Sequence, residues 1–320
     1  ENWIPMIGCQ NLTKRFGPLT AVNELSFEVR PGEVLGFLGP NGAGKTTTIR
    51  MLLDLIRPNQ GDVYLFGKHV QREREVLQRV GSLVEGASFY PFLTGRRNLE
   101  VFALTSNLDL PESRYDEVLE MVDMTERSFR RVAGYSTGMK QRLKLAQAIV
   151  HDPEVLILDE PTIGLDPRQI QEVRQLVRDL SHGNGRHERT ILLSSHILPE
   201  VSQVCGRVLI LRQGRLAAEG APDELIARLQ GAKQVRVQVR APVDAPVAAH
   251  LRGLPGIEDV QAQGEGVYVV VHTSALDLRP QLTEAILRAG WELLELRAHE
   301  LAQYGDYGYD VDRLQRGIDQ

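Results

Sequence analysis

Residues 34–53 read VLGFLGPNGAGKTTTIRMLL. The stretch opens as an apolar run of strand length and closes with apolar residues at helical spacing. Between the two lie Gly39, Gly42 and Gly44, followed by Lys45, Thr46 and Thr47. A plain reversal needs one or two glycines. Three glycines with a lysine bring bare backbone close to an anion, and Gly39 to Thr46 fit the spacing G-x-x-x-x-G-K-[ST]. Backbone N–H groups from Gly39, Asn41, Gly42, Ala43 and Gly44 can then face phosphate oxygens, with Pro40 shaping the same loop. The helix starting near Lys45 adds the positive end of its dipole. At ~4 Å and an effective dielectric of ~20, the Lys45 charge is worth about 4 kcal/mol before desolvation. The Thr46 hydroxyl can reach Mg²⁺.

Two further strand ends extend the site. VLILDE, Val155 to Glu160, is an apolar run tipped by two carboxylates, which is costly unless a cation or substrate sits there. Asp159 is read as an Mg²⁺ ligand. Glu160 is read as the group that orients or deprotonates an attacking water. TILLSSH, residues 190–196, brings His196 to the same sheet edge, where an imidazole can bridge to a γ-phosphate.

Outward from these strands, the first thirty residues alternate apolar and polar positions around turn signals, predicting antiparallel strands. GDVYLFGKHV reads as a hairpin. RRNLEVFALTSNL, YDEVLEMVDM and MKQRLKLAQAIVHD have helical periodicity, and PRQIQEVRQLVRDL is a helix between two buried strands. Strands alternating with helices predict a mainly parallel sheet. From Gln234 to Glu300 the order is strand, helix, strand, strand, helix, strand, the ferredoxin-like βαββαβ pattern. The expected organisation is α/β: a first domain over 1–220 with a mixed sheet and a helical subdomain at about 86–150, then a linker helix at 221–233. An α+β ferredoxin-like domain follows at 234–300, with a tail at 301–320.

The chain of 320 residues is 42% hydrophobic and 25% charged, with net charge −5. That balance fits a soluble globular protein and gives no reason to expect nucleic acid as a partner. Two cysteines, Cys9 and Cys205, exclude a disulfide-dense scaffold and fit a reducing compartment. The N-terminal stretch has no basic segment followed by an apolar core, so no signal peptide is expected. No apolar run approaches the roughly 18 residues of a membrane span; any membrane crossing would fall to another chain.

YSTGMKQRL, Tyr135 to Leu143, lies ahead of the acidic strand and resembles the signature of the nucleotide-binding subunits of ATP-binding cassette transporters. TIGLDP carries that family's D-loop pattern in Gly164, Leu165 and Asp166. KRFG puts Phe16 where an aromatic ring stacks on adenine. The resemblance spans roughly residues 6 to 220. It implies a P-loop NTPase cassette that hydrolyses ATP with Mg²⁺. It also implies a homodimer in which Ser136, Thr137, Gly138 and Met139 of one copy contact ATP held by the other. Polytopic permease subunits would grip the helical region, holding the protein peripherally on the cytoplasmic face of the plasma membrane. Two departures point to the antibiotic and multidrug export branch. Thr137 and Met139 stand where many members have glycine and glutamine, and Glu85 takes the place of the usual Q-loop glutamine. Glu85 is expected to join the metal shell. A cassette acting on ribosomes or DNA is the alternative, but the basic linker or long coiled-coil insertion of such members is missing here.

Overall fold

The computed structural model describes residues 4–84, 89–183, 188–225, 233–242, 245–264, 266–272 and 277–299. Contacts divide the chain into two compact units, Glu1–Pro222 and Asp223–Gln320.

The first unit is built on two sheets. β1 (Ile7–Phe16), β2 (Leu19–Val29), β4 (Gln60–Leu65) and β5 (Lys68–His69) form an antiparallel sheet in the order β2-β1-β4-β5. The other sheet runs β10 (Arg215–Gly220), β9 (Arg207–Arg212), β3 (Val34–Leu38), β8 (Thr190–Ser195), β7 (Val155–Leu158), β6 (Val80–Leu83). All its neighbours are parallel except β10 and β9. Its central strands are buried on both faces, which is why VLGFL and VLIL read as unbroken apolar runs rather than alternating ones. Each fully buried aliphatic there contributes roughly 1.5–3 kcal/mol, enough to offset polar groups at the strand tips. β6, four residues long, carries no periodicity of its own and was not foreseen.

The helices follow the apolar spacing. α1 (Lys45–Leu52) buries Ile49, Met51 and Leu52. α2 (Gly95–Thr105), α3 (Glu112–Met121) and α4 (Thr137–Ile149) make the helical region between β6 and β7. α5 (Pro167–Ser181) buries Val173, Val177 and Leu180, one face at helical spacing. α6 (Leu198–Val201) is a single turn after β8.

In the second unit β11 (Lys233–Arg240), β12 (Ile257–Gly264), β13 (Val267–His272) and β14 (Glu292–His299) pair antiparallel in the order β12-β13-β11-β14. α7 (Val247–Arg252) and α8 (Arg279–Arg288) connect them. Val235, Val237, Val239 and Val270 meet Leu251, Leu282 and Ile286 in a core of its own. This is the ferredoxin-like order. Most of the expected linker helix (226–232) and the tail from 300 lie outside the described residues.

Candidate functional site

The parallel registers bring three loops to one edge. Leu38 pairs with Ser195, and Leu158 pairs with Leu193. The residues that follow these strands, Gly39, Asp159 and His196, therefore emerge together, although the chain visits them far apart.

The loop after β3 closes on itself: the Ala43 N–H donates to Pro40 O at 3.1 Å. Gly44 ends it at φ 104, and a Cβ there would stand 2.6 Å from Ala21 O. Only glycine fits that position. Asn41 and Gly42 are exposed, Thr46 and Thr47 half-buried. Among the described residues the Thr46 hydroxyl has no hydrogen-bond partner. Lys45 is 4% exposed. Its Nζ donates to Gly39 O at 2.5 Å and Pro40 O at 3.2 Å, and lies 3.5 Å from Glu160 Oε1. Burial lowers its pKa below the ordinary lysine value, with Glu160 and then Asp159 partly offsetting this.

Asp159 sits at the tip of β7, 4% exposed. Its Oδ1 accepts the Ser194 hydroxyl at 2.6 Å, while its buried Oδ2 has no partner among the described residues. An orphaned carboxylate oxygen costs several kcal/mol when desolvated, so the chemistry of this donor set suits a hard cation. Ser194 Oγ also accepts the Glu160 N–H at 2.9 Å. Glu160 holds φ 45, strained for a residue with a side chain. That conformation carries its carboxylate to both neighbours: Oε2 lies 3.2 Å from His196 Nδ1, and Oε1 faces Lys45.

The signature turn is a helix N-terminus. Ser136 caps α4, its Oγ accepting the Met139 N–H at 3.3 Å. Ser136 and Thr137 are exposed and Gly138 is buried. A Cβ on Gly138 would stand 2.6 Å from the Gln169 side chain. Gln169 and Asp166 form a capping box at the start of α5, with N–H to side-chain distances of 2.9 and 3.3 Å. One turn along, Gln141 Nε2 donates to Pro161 O at 2.7 Å within a buried contact. The signature helix and the segment after Glu160 are thus fastened together inside one chain. Phe16, at the end of β1, is 49% exposed, with Lys14 Nζ 5.2 Å from its ring centroid. Glu85 lies outside the described residues.

The structure brings Lys45, Asp159, Glu160 and His196 together. Ser194, Gln141 and Gln169 were not anticipated. Two serines at the end of an otherwise apolar buried strand were the signal available for Ser194.

Comparison with known proteins adds ancestry to geometry. The ABC transporter family model matches residues 22–163. The bacitracin transport ATP-binding protein BcrA of Bacillus licheniformis is 44% identical over 70% of this chain and 72% of its own. The ABC transporter ATP-binding protein YdbJ of Bacillus subtilis is 36% identical over 88% of both chains. A solved ATP-binding subunit of an ABC transporter is 28% identical, with TM-score 0.60, over 69% of this chain and 91% of that one. Together with the converging strand tips, these likenesses establish that the chain belongs to the ABC transporter family as an ATP-binding, ATP-hydrolysing subunit.

Proposed function

We propose that this chain is the motor of an exporter for a drug, antibiotic or lipid-like compound, working as a homodimer that closes on two ATP molecules. The observation that carries the reading is the meeting of Lys45, Asp159, Glu160 and His196 at one sheet edge. The direction of transport draws support from relatives named for bacitracin transport and Nod factor export.

In this reading the backbone from Gly39 to Thr47 cradles the phosphates and Phe16 stacks on adenine. Lys45 exchanges its two backbone carbonyls for phosphate oxygens. Asp159, through its orphaned oxygen, would hold Mg²⁺ with the Thr46 hydroxyl, and Glu85 would join them. When bound, the cation neutralises polyphosphate charge. Glu160 accepts the proton of a water whose oxygen bonds to the γ-phosphorus as the bond to the bridging oxygen breaks, releasing ADP and phosphate. His196 holds the Glu160 carboxylate and reaches towards the γ-phosphate. Ser136, Thr137, Gly138 and Met139 of a second copy cap the nucleotide with a helix N-terminus, and Asp166 lies along the same seam. ATP contacts both faces only when the pair is closed, so nucleotide shifts the population and hydrolysis releases it.

Polytopic permease subunits would dock on the helical region, where Tyr90, Phe92, Leu104 and Phe129 are all at least 49% exposed. Solvent-facing apolar groups of this kind suit a protein partner. Among the described residues no helix is long and apolar enough to cross a membrane. The chain would sit on the cytoplasmic face through that partner. Purification of the native complex tests this: a polytopic membrane protein should copurify and alter ATP turnover. A chain that comes down alone, with turnover indifferent to membrane extract, sinks the reading.

A further inference from the structure

Behind the strand tips lies a buried acid that the reaction does not use. Glu200, on the single turn α6, is 8% exposed. Its Oε2 accepts two hydroxyls, Thr162 Oγ1 at 2.9 Å and Ser195 Oγ at 3.3 Å. Ser195 Oγ in turn accepts the Ile197 N–H at 3.0 Å. Both donors are placed with consequence. Thr162 lies inside the turn that starts at Glu160, closed by the Ile163 N–H on Glu160 O at 3.2 Å. Ser195 immediately precedes His196. One carboxylate oxygen therefore ties the loop bearing Glu160 to the strand end bearing His196. The cavity these residues line, with Arg174 on its wall, has a volume of about 10 Å³, room for one water at most. Glu200 is buried behind the strand tips, so its influence on the site passes through its two hydroxyl partners.

We propose that Glu200 is a positioning residue for hydrolysis: it clamps Thr162 and Ser195 and so fixes the Glu160–His196 pair at working distance. Burying an anion against neutral hydroxyls is costly, and two apolar residues would fill the space more stably. What the acid supplies is geometry, because an oxygen accepting two short-range donors fixes both loops at once. A displacement of about 1 Å in a reacting group can cost about 100-fold in rate.

The proposal rests on assigning Glu160 and His196 to the hydrolytic site, so Glu160→Gln is run alongside as a separate check. In the full chain, Glu200→Ala should lower kcat about 10- to 100-fold with KM for ATP unmoved, because ground-state binding is untouched. Glu200→Gln, whose amide oxygen still accepts both hydroxyls, should recover most of that loss. In a Thr162→Val background the cost of Glu200→Ala should shrink, since the clamp is already open on one side. Wild-type kcat in Glu200→Ala overturns the proposal, as does an equal loss in the Ala and Gln variants. If Glu200→Ala is insoluble, Thr162→Val and Ser195→Ala decide it: reduced kcat at unchanged KM supports the clamp, and wild-type kcat in both overturns it. Full turnover in Glu160→Gln defeats the site assignment itself. An inactive Glu160→Gln beside a fully active Glu200→Ala defeats the clamp alone.

Discussion

Ser194 and Asp159 share a hydrogen bond of 2.6 Å across adjacent parallel strands, and the same serine oxygen accepts the backbone N–H of Glu160. One hydroxyl thus fixes the orientation of the Asp159 carboxylate, the proposed cation ligand, and the strained backbone beside it. With Oδ1 committed to Ser194, Oδ2 is the oxygen left for a cation. Removing the hydroxyl strands a buried carboxylate oxygen and a part-buried N–H at once, at up to about 1–3 kcal/mol each. Ser194→Ala should therefore lower the melting temperature and raise the Mg²⁺ concentration needed for half-maximal hydrolysis. A magnesium titration of ATPase activity checks this; an unchanged midpoint would show that Ser194 does not set Asp159.

Glu160 lies between a buried ammonium and an imidazole, positioned to take a proton. Glu160→Gln keeps size and hydrogen-bonding capacity but loses basicity. Turnover should fall by something like 10²- to 10⁴-fold, while ATP is still retained and should hold the proposed dimer closed. Sizing chromatography with and without ATP separates these effects. A variant that hydrolyses at the native rate assigns the base elsewhere.

The phosphate loop was legible because its cause is local: glycines, a lysine and flanking apolar runs all lie within twenty residues. The second unit was legible for a similar reason, since Val235, Val237 and Val239 alternate with polar neighbours and α8 repeats its apolar residues at three and four. The polar wiring was not. Ser194 meets Asp159 only because β8 inserts between β3 and β7, an order fixed by the whole sheet. Thr162 and Glu200 are 38 residues apart and join only through that insertion. The family resemblance implies Asp166 and Ser136 as nucleotide contacts; each also caps a helix in its own chain, a task that any Asp or Ser before a helix can perform.

Lys45 gives a pH signature. Burial lowers its pKa from 10.5, and a bound polyphosphate raises it again by supplying opposite charge. Between those two values ATP binding takes up a proton, so affinity falls as pH rises. Below that window the lysine is charged in both states and affinity is flat. Calorimetry at alkaline pH in buffers of differing ionisation enthalpy should register proton uptake on binding, absent from Lys45→Ala. Proton-neutral binding across the alkaline range would contradict this.

Gly138 offers a test of how the signature helix is seated. A Cβ there overlaps the Gln169 side chain, which cannot yield freely because its oxygen accepts the Asp166 N–H in the capping box. Gly138→Ala should displace Gln169 and forfeit that bond, about 1 kcal/mol, with some loosening of α4 against α5. Gln169→Ala removes the obstacle along with the bond. The two substitutions should therefore be less than additive, the second costing little once the first is present. Thermal denaturation of both single variants and the double variant measures the coupling. Additive losses would mean that the helix N-terminus and the capping box are independent. ATP turnover measured on the same proteins then reports whether the seat of the signature helix, rather than its exposed Ser136 and Thr137, governs closure.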